Sequence, residues 1–234
     1  MKVIVIPDVH LKPWMYERAT EYLRNGTAER AVCLMDIPDD WNQEMNISLY
    51  EETFDAAILF AKEFPDTLWC YGNHDICYLI DGRESGYSAF AADTVSRKLW
   101  QLQQAAKEPI RYIQKIDDVI FCHGGLTDYF VDINVDLRKR NDIDYVIDLI
   151  NNLPMRNMWN NDSPVWHRPQ YEKLPMYMSD KLLQVVGHTP VSSVQREANL
   201  ISTDVFSSYR DGHPIGTEEF LLLDTVTWEC AYCQ

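Results

Sequence analysis

Short apolar runs alternate with segments of helical periodicity through the first half of the chain. Residues 2–7 read as a buried strand, and residues 13–25 as a helix closed by Gly26. Residues 30–35 form a second predicted strand. Residues 48–64 form a helix, with Ser48 as N-cap and Glu51 three residues on as a capping box. A third strand spans 67–71 and stops at Gly72, and a further helix covers 93–107. Residues 110–116 and 119–122 read as strands hinged at Asp117-Asp118. After Gly124-Gly125 the pattern weakens. Residues 142–152 are helical, whereas 153–175, rich in Pro, Asn, Trp and Met, read as a functional loop or lid. Strands return at 182–186, 192–197, 200–205 and 219–224. Strands alternating with helices argue for a mixed sheet covered by helices. No repeat, linker or shift in composition divides the chain, so residues 1–234 are expected to form one α/β domain.

Composition narrows the function. At 46% hydrophobic and 24% charged, the chain is that of a globular protein able to bury a sizeable core. No apolar run reaches the roughly 20 residues of a membrane helix. The apolar start ends at Asp8, too soon for a signal peptide, so the first residues are expected to belong to the fold. A net charge of -15 repels phosphate backbones, so no stable nucleic-acid binding is expected. An anionic substrate then needs a local reversal of the field, for which bound divalent cations are the usual means. The six cysteines sit mostly in apolar runs and read as reduced thiols in a cytoplasmic protein. Cys230 and Cys233 have C-x-x-C spacing, but without a second pair they read as a buried C-terminal strand or a tail.

Polar chemistry gathers where the apolar runs stop. The first strand ends in Asp8-Val9-His10, the second in Asp36-Ile37-Pro38-Asp39-Asp40, and the third in Gly72-Asn73-His74-Asp75. The run 119–122 ends in His123-Gly124-Gly125, and 182–186 in Gly187-His188-Thr189-Pro190. Strand ends are where open α/β sheets place their sites. Mixed oxygen and nitrogen donors without thiolate suit manganese, iron or zinc. The donors are too many for one ion with open positions, which points to a carboxylate-bridged pair.

The ordered set D-x-H, D-x-x-D, G-N-H-D, H-G-G and G-H-T-P, running from Asp8 to Pro190, resembles the calcineurin-like metallophosphoesterases. G-H-T-P and Trp166-His167-Arg168 are similar to the branch of serine/threonine protein phosphatases and symmetrical diadenosine tetraphosphatases. The resemblance implies a four-layer α/β/β/α sandwich with a dimetal site at the strand C-terminal ends, in a single metallophosphoesterase domain. It implies one metal on Asp8, His10 and Asp36, and another on Asp36, Asn73, His123 and His188. Manganese comes first, with iron, zinc or nickel as alternatives. His74 would protonate the leaving oxygen, Asp39 would orient His74, and Arg168 would clamp the phosphoryl group. A metal-bridging hydroxide would attack in line on a phosphomonoester, carried by a phosphorylated small molecule, a nucleotide or a phosphoprotein. The alternatives are a symmetrical dinucleoside polyphosphate hydrolase and, from another class, a catalytically silent metal-bound binding module.

The chain departs from the family pattern at four places: Leu11 and Met35 stand where glycine is usual, Asp40-Trp41 replaces an arginine-glycine pair, and Asp75 replaces glutamate. None is an implied ligand. Arg83, Arg97, Arg111, Arg138 and Arg140 are alternative anion partners, and His167 could line the pocket. His213 reads as a surface-loop residue, and Trp41 and Trp166 are the aromatics placed to stack on a leaving group.

Overall fold

In the computed structural model, which describes residues 1–233, the elements follow in this order: β1 (Lys2–Ile6), α1 (Trp14–Arg24), β2 (Arg30–Cys33), α2 (Ile47–Glu63), β3 (Leu68–Trp69), α3 (Asn73–Cys77), α4 (Ala92–Ala105), β4 (Ile113–Ile116), β5 (Val119–Cys122), α5 (Asp128–Asn134), α6 (Ile143–Asn151), β6 (Leu183–Val186), β7 (Gln195–Glu197), β8 (Leu200–Ser202), β9 (Phe220–Asp224) and β10 (Cys230–Cys233). They build two five-stranded sheets, ordered β10-β9-β1-β2-β3 and β4-β5-β6-β8-β7.

The period-two alternation of the strands sets the layering. Val3 and Val5 of β1 pack with Val119 and Phe121 of β5 and with Leu183 and Val185 of β6, in an apolar layer between the sheets. Ile4 and Ile6 turn the other way, onto Met15 of α1, Phe54 of α2 and Leu99 of α4. Ile120 and Cys122 likewise face Phe130 of α5 and Val146 of α6. The layers therefore run helix, sheet, sheet, helix, the expected α/β/β/α sandwich. β1, β2 and β3 run parallel in one sheet, as β5, β6 and β8 do in the other. That shared direction is what lets several loops after the strands converge.

Several boundaries differ from the sequence expectation, each for a physical reason. The capping box does not form: α2 starts at Ile47 with Asn46 as cap residue, and the Ser48 hydroxyl donates to Asn46 Oδ1 at 3.0 Å. Glu51 instead pairs with Arg97 of α4 at 3.3 Å. β3 is shorter than 67–71: Cys70 N–H still donates to Cys33 O at 2.8 Å, but from there the chain pairs with Arg111 in an isolated bridge. The strand expected at 200–205 ends at Ser202, after which the chain turns toward the site, with Thr203 N–H donating to Val186 O at 2.8 Å. Segment 153–175 is a packed loop: Met158, Ser163, Val165 and His167 are fully buried. Cys230 and Cys233 lie on an edge strand, half-buried and unpaired.

Candidate dimetal site

Every strand-end group singled out by sequence reaches one place. Asp8 and His10 follow β1, Asp36 follows β2, Asn73 opens α3, His123 follows β5 and His188 follows β6. Asp36, His123 and His188 each offer a ligand atom within 4.8 Å of the others, and so do Asp8, His10 and Asp36. Asp36 belongs to both groups, the position a bridging carboxylate needs. Its Oδ1 accepts the His74 N–H at 2.9 Å, so Oδ2 is the atom turned to the imidazoles: 3.0 Å from His123 Nε2 and 4.0 Å from His10 Nε2.

The surrounding hydrogen bonds fix the imidazole tautomers. His123 Nδ1 donates to Leu34 O at 2.9 Å, and His10 Nδ1 donates to Asp39 O at 2.8 Å. Both rings therefore present Nε2 inward, as ligating histidines do. Two glycines let the carboxylates approach the backbone. A Cβ at Gly72 would overlap Asp36 Oδ1, and one at Gly187 would overlap Asp8 Oδ2. Asp75 braces the same turn, accepting Asp36 N–H at 2.9 Å, Ile37 N–H at 3.2 Å and Gly72 N–H at 3.0 Å.

Two observations test whether these residues fit metal ions. Asp8 Oδ2 and His188 Nε2 are buried and have no hydrogen-bond partner, an expensive state unless something else binds them. In addition, His123 Nε2 lies 3.0 Å from Asp36 Oδ2 and 3.0 Å from Asn73 Oδ1, a convergence of lone-pair atoms that needs a proton or a cation between them. The residues fit a pair of divalent ions. Burial pulls His123 down, but Asp36 and Asp8 outweigh it and raise it to about 9, so its ring carries the proton that a cation would displace. Burial, followed by the neighbouring His74, pulls His10 down to about 4, and burial with the His123 charge lowers His188 well below its ordinary range. Both rings are thus neutral and able to ligate at physiological pH. For Asp36 burial pushes upward, but the surrounding imidazoles outweigh it and hold the carboxylate ionised.

Beside this cluster lies a cavity of about 210 Å³, whose lining includes His10, Asp36, Asn73, His74, Arg168 and His188. His74 Nδ1 donates to Asp39 Oδ2 at 3.0 Å. Burial pulls the His74 pKa down, but Asp36 and Asp39 outweigh it and raise it to about 9, so the ring is protonated at neutral pH. Arg168 donates to His188 O at 2.7 Å and Thr189 Oγ1 at 3.2 Å, which holds its guanidinium at the cavity wall. Trp41 lines the cavity, with its Nε1 donating to Ser208 O at 2.9 Å. Trp166 does not; it packs edge-on between Trp159 and His188. His167 is fully buried outside the lining. The alternative arginines also lie outside it, with Arg97, Arg111 and Arg140 engaged with surface carboxylates.

Other groups carried no sequence signal. Tyr50 and Tyr78 donate to Asp39 Oδ1, at 2.9 and 2.5 Å. Asp204 and Glu84 line the cavity. Asp40 is neutralised by Lys12, whose Nζ lies 3.2 Å away and also donates to His10 O at 3.1 Å. A phenol on a buried helix face and an acid in a loop look ordinary in sequence, and only the fold brings them to the site.

Comparison with known proteins gives a family. The family described as calcineurin-like phosphoesterase matches residues 1–200. Among solved structures, the cold-active protein-tyrosine phosphatase of a psychrophile, Shewanella sp., is 19% identical, with a TM-score of 0.58 over 100% of this chain and 80% of that one. A further structure of a cold-active protein tyrosine phosphatase is 18% identical, with a TM-score of 0.56 over 100% of this chain and 78% of that one. At such identity both show a shared fold. No curated protein matches the chain. No helix among the described residues is long and apolar enough to cross a membrane. With the family match spanning most of the sequence and a ligand cluster at its strand ends, the chain belongs to the calcineurin-like phosphoesterases and is a metal-dependent hydrolase of phosphoesters.

Proposed function

We propose that the protein hydrolyses phosphomonoesters, with manganese as the metal that its oxygen and imidazole donors suit. The observation that carries the substrate class is the charge lining the cavity. Among the described residues, Arg168 is its one guanidinium or ammonium, set against Asp39, Asp40, Glu84 and Asp204. One phosphoryl group finds a clamp there, whereas the further phosphates of a dinucleoside polyphosphate would face carboxylates. Pairing with Lys12 and His74 offsets Asp40 and Asp39, but Glu84 remains an acid facing both His74 and Arg168.

Asp8, His10 and Asp36 would hold one divalent ion, and Asp36, Asn73, His123 and His188 the other. When bound, such a pair supplies Lewis acidity, making a water nucleophilic at neutral pH and drawing charge from the phosphoryl oxygens. Arg168 orients the phosphoryl group, with its backbone carried by the packed 153–175 loop. His74 gives its Nε2 proton to the departing oxygen, while its Nδ1–H stays with Asp39. The whole chain acts as one catalytic unit, since β9, beyond the family match, pairs with β1 from Lys2↔Asp224 to Val5↔Leu221. Six unpaired cysteines suit a reducing, cytoplasmic setting.

The test is side-by-side turnover of a phosphoserine peptide and diadenosine tetraphosphate by the manganese-loaded protein. A kcat/KM at least about tenfold higher for the monoester is expected, equivalent to roughly 1.4 kcal/mol. A preference for the dinucleotide would overturn the reading.

A further inference from the structure

Asp39 receives more hydrogen bonds than orienting one imidazole requires. Its Oδ2 accepts from His74, while its Oδ1 accepts from both Tyr50 of α2 and Tyr78, the residue after α3. A phenol has one proton to give. Tyr78 Oη accepts the Ser88 N–H at 2.9 Å, which turns its own proton toward Asp39. Tyr50 is fully buried and Tyr78 is 8% exposed, so water offers neither an easy alternative partner. The junction also reaches the outer cavity wall: Tyr87 stacks on Tyr78 at 4.6 Å, and Ser88 Oγ accepts from Ala91 N–H at 3.0 Å. Glu84, Ser85 and Gly86, which line the cavity, lead into this anchored segment.

We propose that Tyr50 and Tyr78 are positioning residues for the proton transfer, acting through Asp39. A carboxylate held by His74 alone could rotate about its Cβ–Cγ bond and offer either oxygen. Two phenols on Oδ1 lock that rotation, so Oδ2 alone meets His74 Nδ1 and His74 Nε2 is aimed at the cavity. The proton balance is simple: the His74 Nε2–H bond breaks, the leaving oxygen gains the proton, and the Nδ1–H···Asp39 bond persists. The phenol protons do not move. The inference rests on the reading of His74 as proton donor.

The experiment is a pair of double-mutant cycles. Tyr50→Phe and Tyr78→Phe are each made in the wild-type and Asp39→Asn backgrounds of the full chain. Each variant is loaded with manganese and assayed for kcat and KM on an alkyl phosphate and on an activated aryl phosphate, with metal content measured. Misaiming a proton donor costs about ten- to hundredfold. A loss of that size is expected in kcat on the alkyl phosphate, with KM within about twofold and the aryl phosphate nearly unaffected. In the Asp39→Asn background the same substitutions should cost nothing further. Equal losses in both backgrounds, or equal losses on both substrates, would make the phenols simple packing and overturn the inference. Should Tyr78→Phe fold poorly, Tyr50→Phe, which severs no backbone contact, completes its own cycle. A leaving-group-dependent loss in Asp39→Asn with none in either tyrosine variant removes this inference alone. No such loss in Asp39→Asn removes the proton-donor reading and this inference together.

Discussion

Six non-glycine residues of the site loops hold left-handed backbone: His10 at φ 42°, Leu11 at 57°, Met35 at 57°, Asp36 at 43°, Asp39 at 67° and His188 at 63°. Such conformations cost about 1–3 kcal/mol each and persist where the surroundings over-determine them. Here a short ladder joins the loops after β1 and β2: Val9 to Met35 O at 3.0 Å, His10 to Asp36 O at 2.8 Å and Leu11 to Ile37 O at 3.0 Å. Asp75 secures the second loop from beneath. Asp75→Asn keeps the shape but offers one acceptor oxygen, so an amide NH₂ must face a backbone N–H. We expect a stability loss of about 1–3 kcal/mol, seen as a lower urea midpoint at unchanged slope, together with weaker manganese binding by calorimetry. An unchanged midpoint would mean the ladder alone holds the turn. The same geometry accounts for two of the departures read in the sequence. Leu11 and Met35 stand where glycine is expected because the positions require positive φ, and the ladder with burial holds them there. Asp8, His10, Asp36, Asn73, His123 and His188 could be singled out as candidate ligands because such chemistry at successive strand ends is rare and its order resembles the family's. Asp75, on a five-residue helix, was not, because its role is toward the backbone.

At the scale of elements, the 153–175 loop decides how firmly Arg168 is held. Sequence suggested a functional loop or lid, since the segment lacks periodicity, and aperiodic chain packs when its backbone finds partners. Pro164 O accepts from both Gly124 N–H, at 2.7 Å, and Gly125 N–H, at 3.2 Å, which ties the loop to the turn after β5. A Cβ at Gly124 would press on the His167 backbone, so the H-G-G motif serves this packing as well as presenting His123. Arg168 is therefore delivered by a fixed support, and its loss should act on chemistry and leave folding intact. Arg168→Ala should lower kcat/KM on a phosphomonoester by about 10²–10³-fold, as removal of a transition-state donor does. Arg168→Lys should recover little of it, because an ammonium lacks the planar fork. Full recovery by lysine would reduce the residue to a point charge, and an unchanged rate in Arg168→Ala would exclude it from the phosphoryl site. Helices α1, α2, α4 and α6 were readable from periodicity, whereas α3 and α5 were too short to show it and the layer order came from the family resemblance. Nor was the early end of β3 readable, because the pairing with Arg111 leaves the apolar pattern of the run unchanged.

The whole molecule gathers its candidate ligands from both sheets: Asp8, Asp36 and Asn73 from the loops after β1, β2 and β3, and His123 and His188 from those after β5 and β6. Metal held by these residues would be a staple across the two sheets, and any ion that prefers the folded chain must stabilise it as a unit. At a free ion concentration of about 100 times Kd, one site contributes about 2.7 kcal/mol. A chain of this size gains about 2–4 °C in Tm per kcal/mol, so manganese should raise Tm by about 5–10 °C over the chelated protein. The net charge of -15 supplies a competing cause, since a strongly acidic surface gathers cations without any site. Two controls separate them. Diffuse binding is screened by about 0.15 M salt, whereas a buried cluster at 0–5% exposure for Asp8, Asp36, His123 and His188 is not. Asp36→Asn should lose most of the shift, because both ligand groups share that carboxylate, while His213→Ala on the exposed surface should keep it. A manganese shift that survives Asp36→Asn, or that vanishes in salt, would place the ions on the surface and leave the two sheets unstapled.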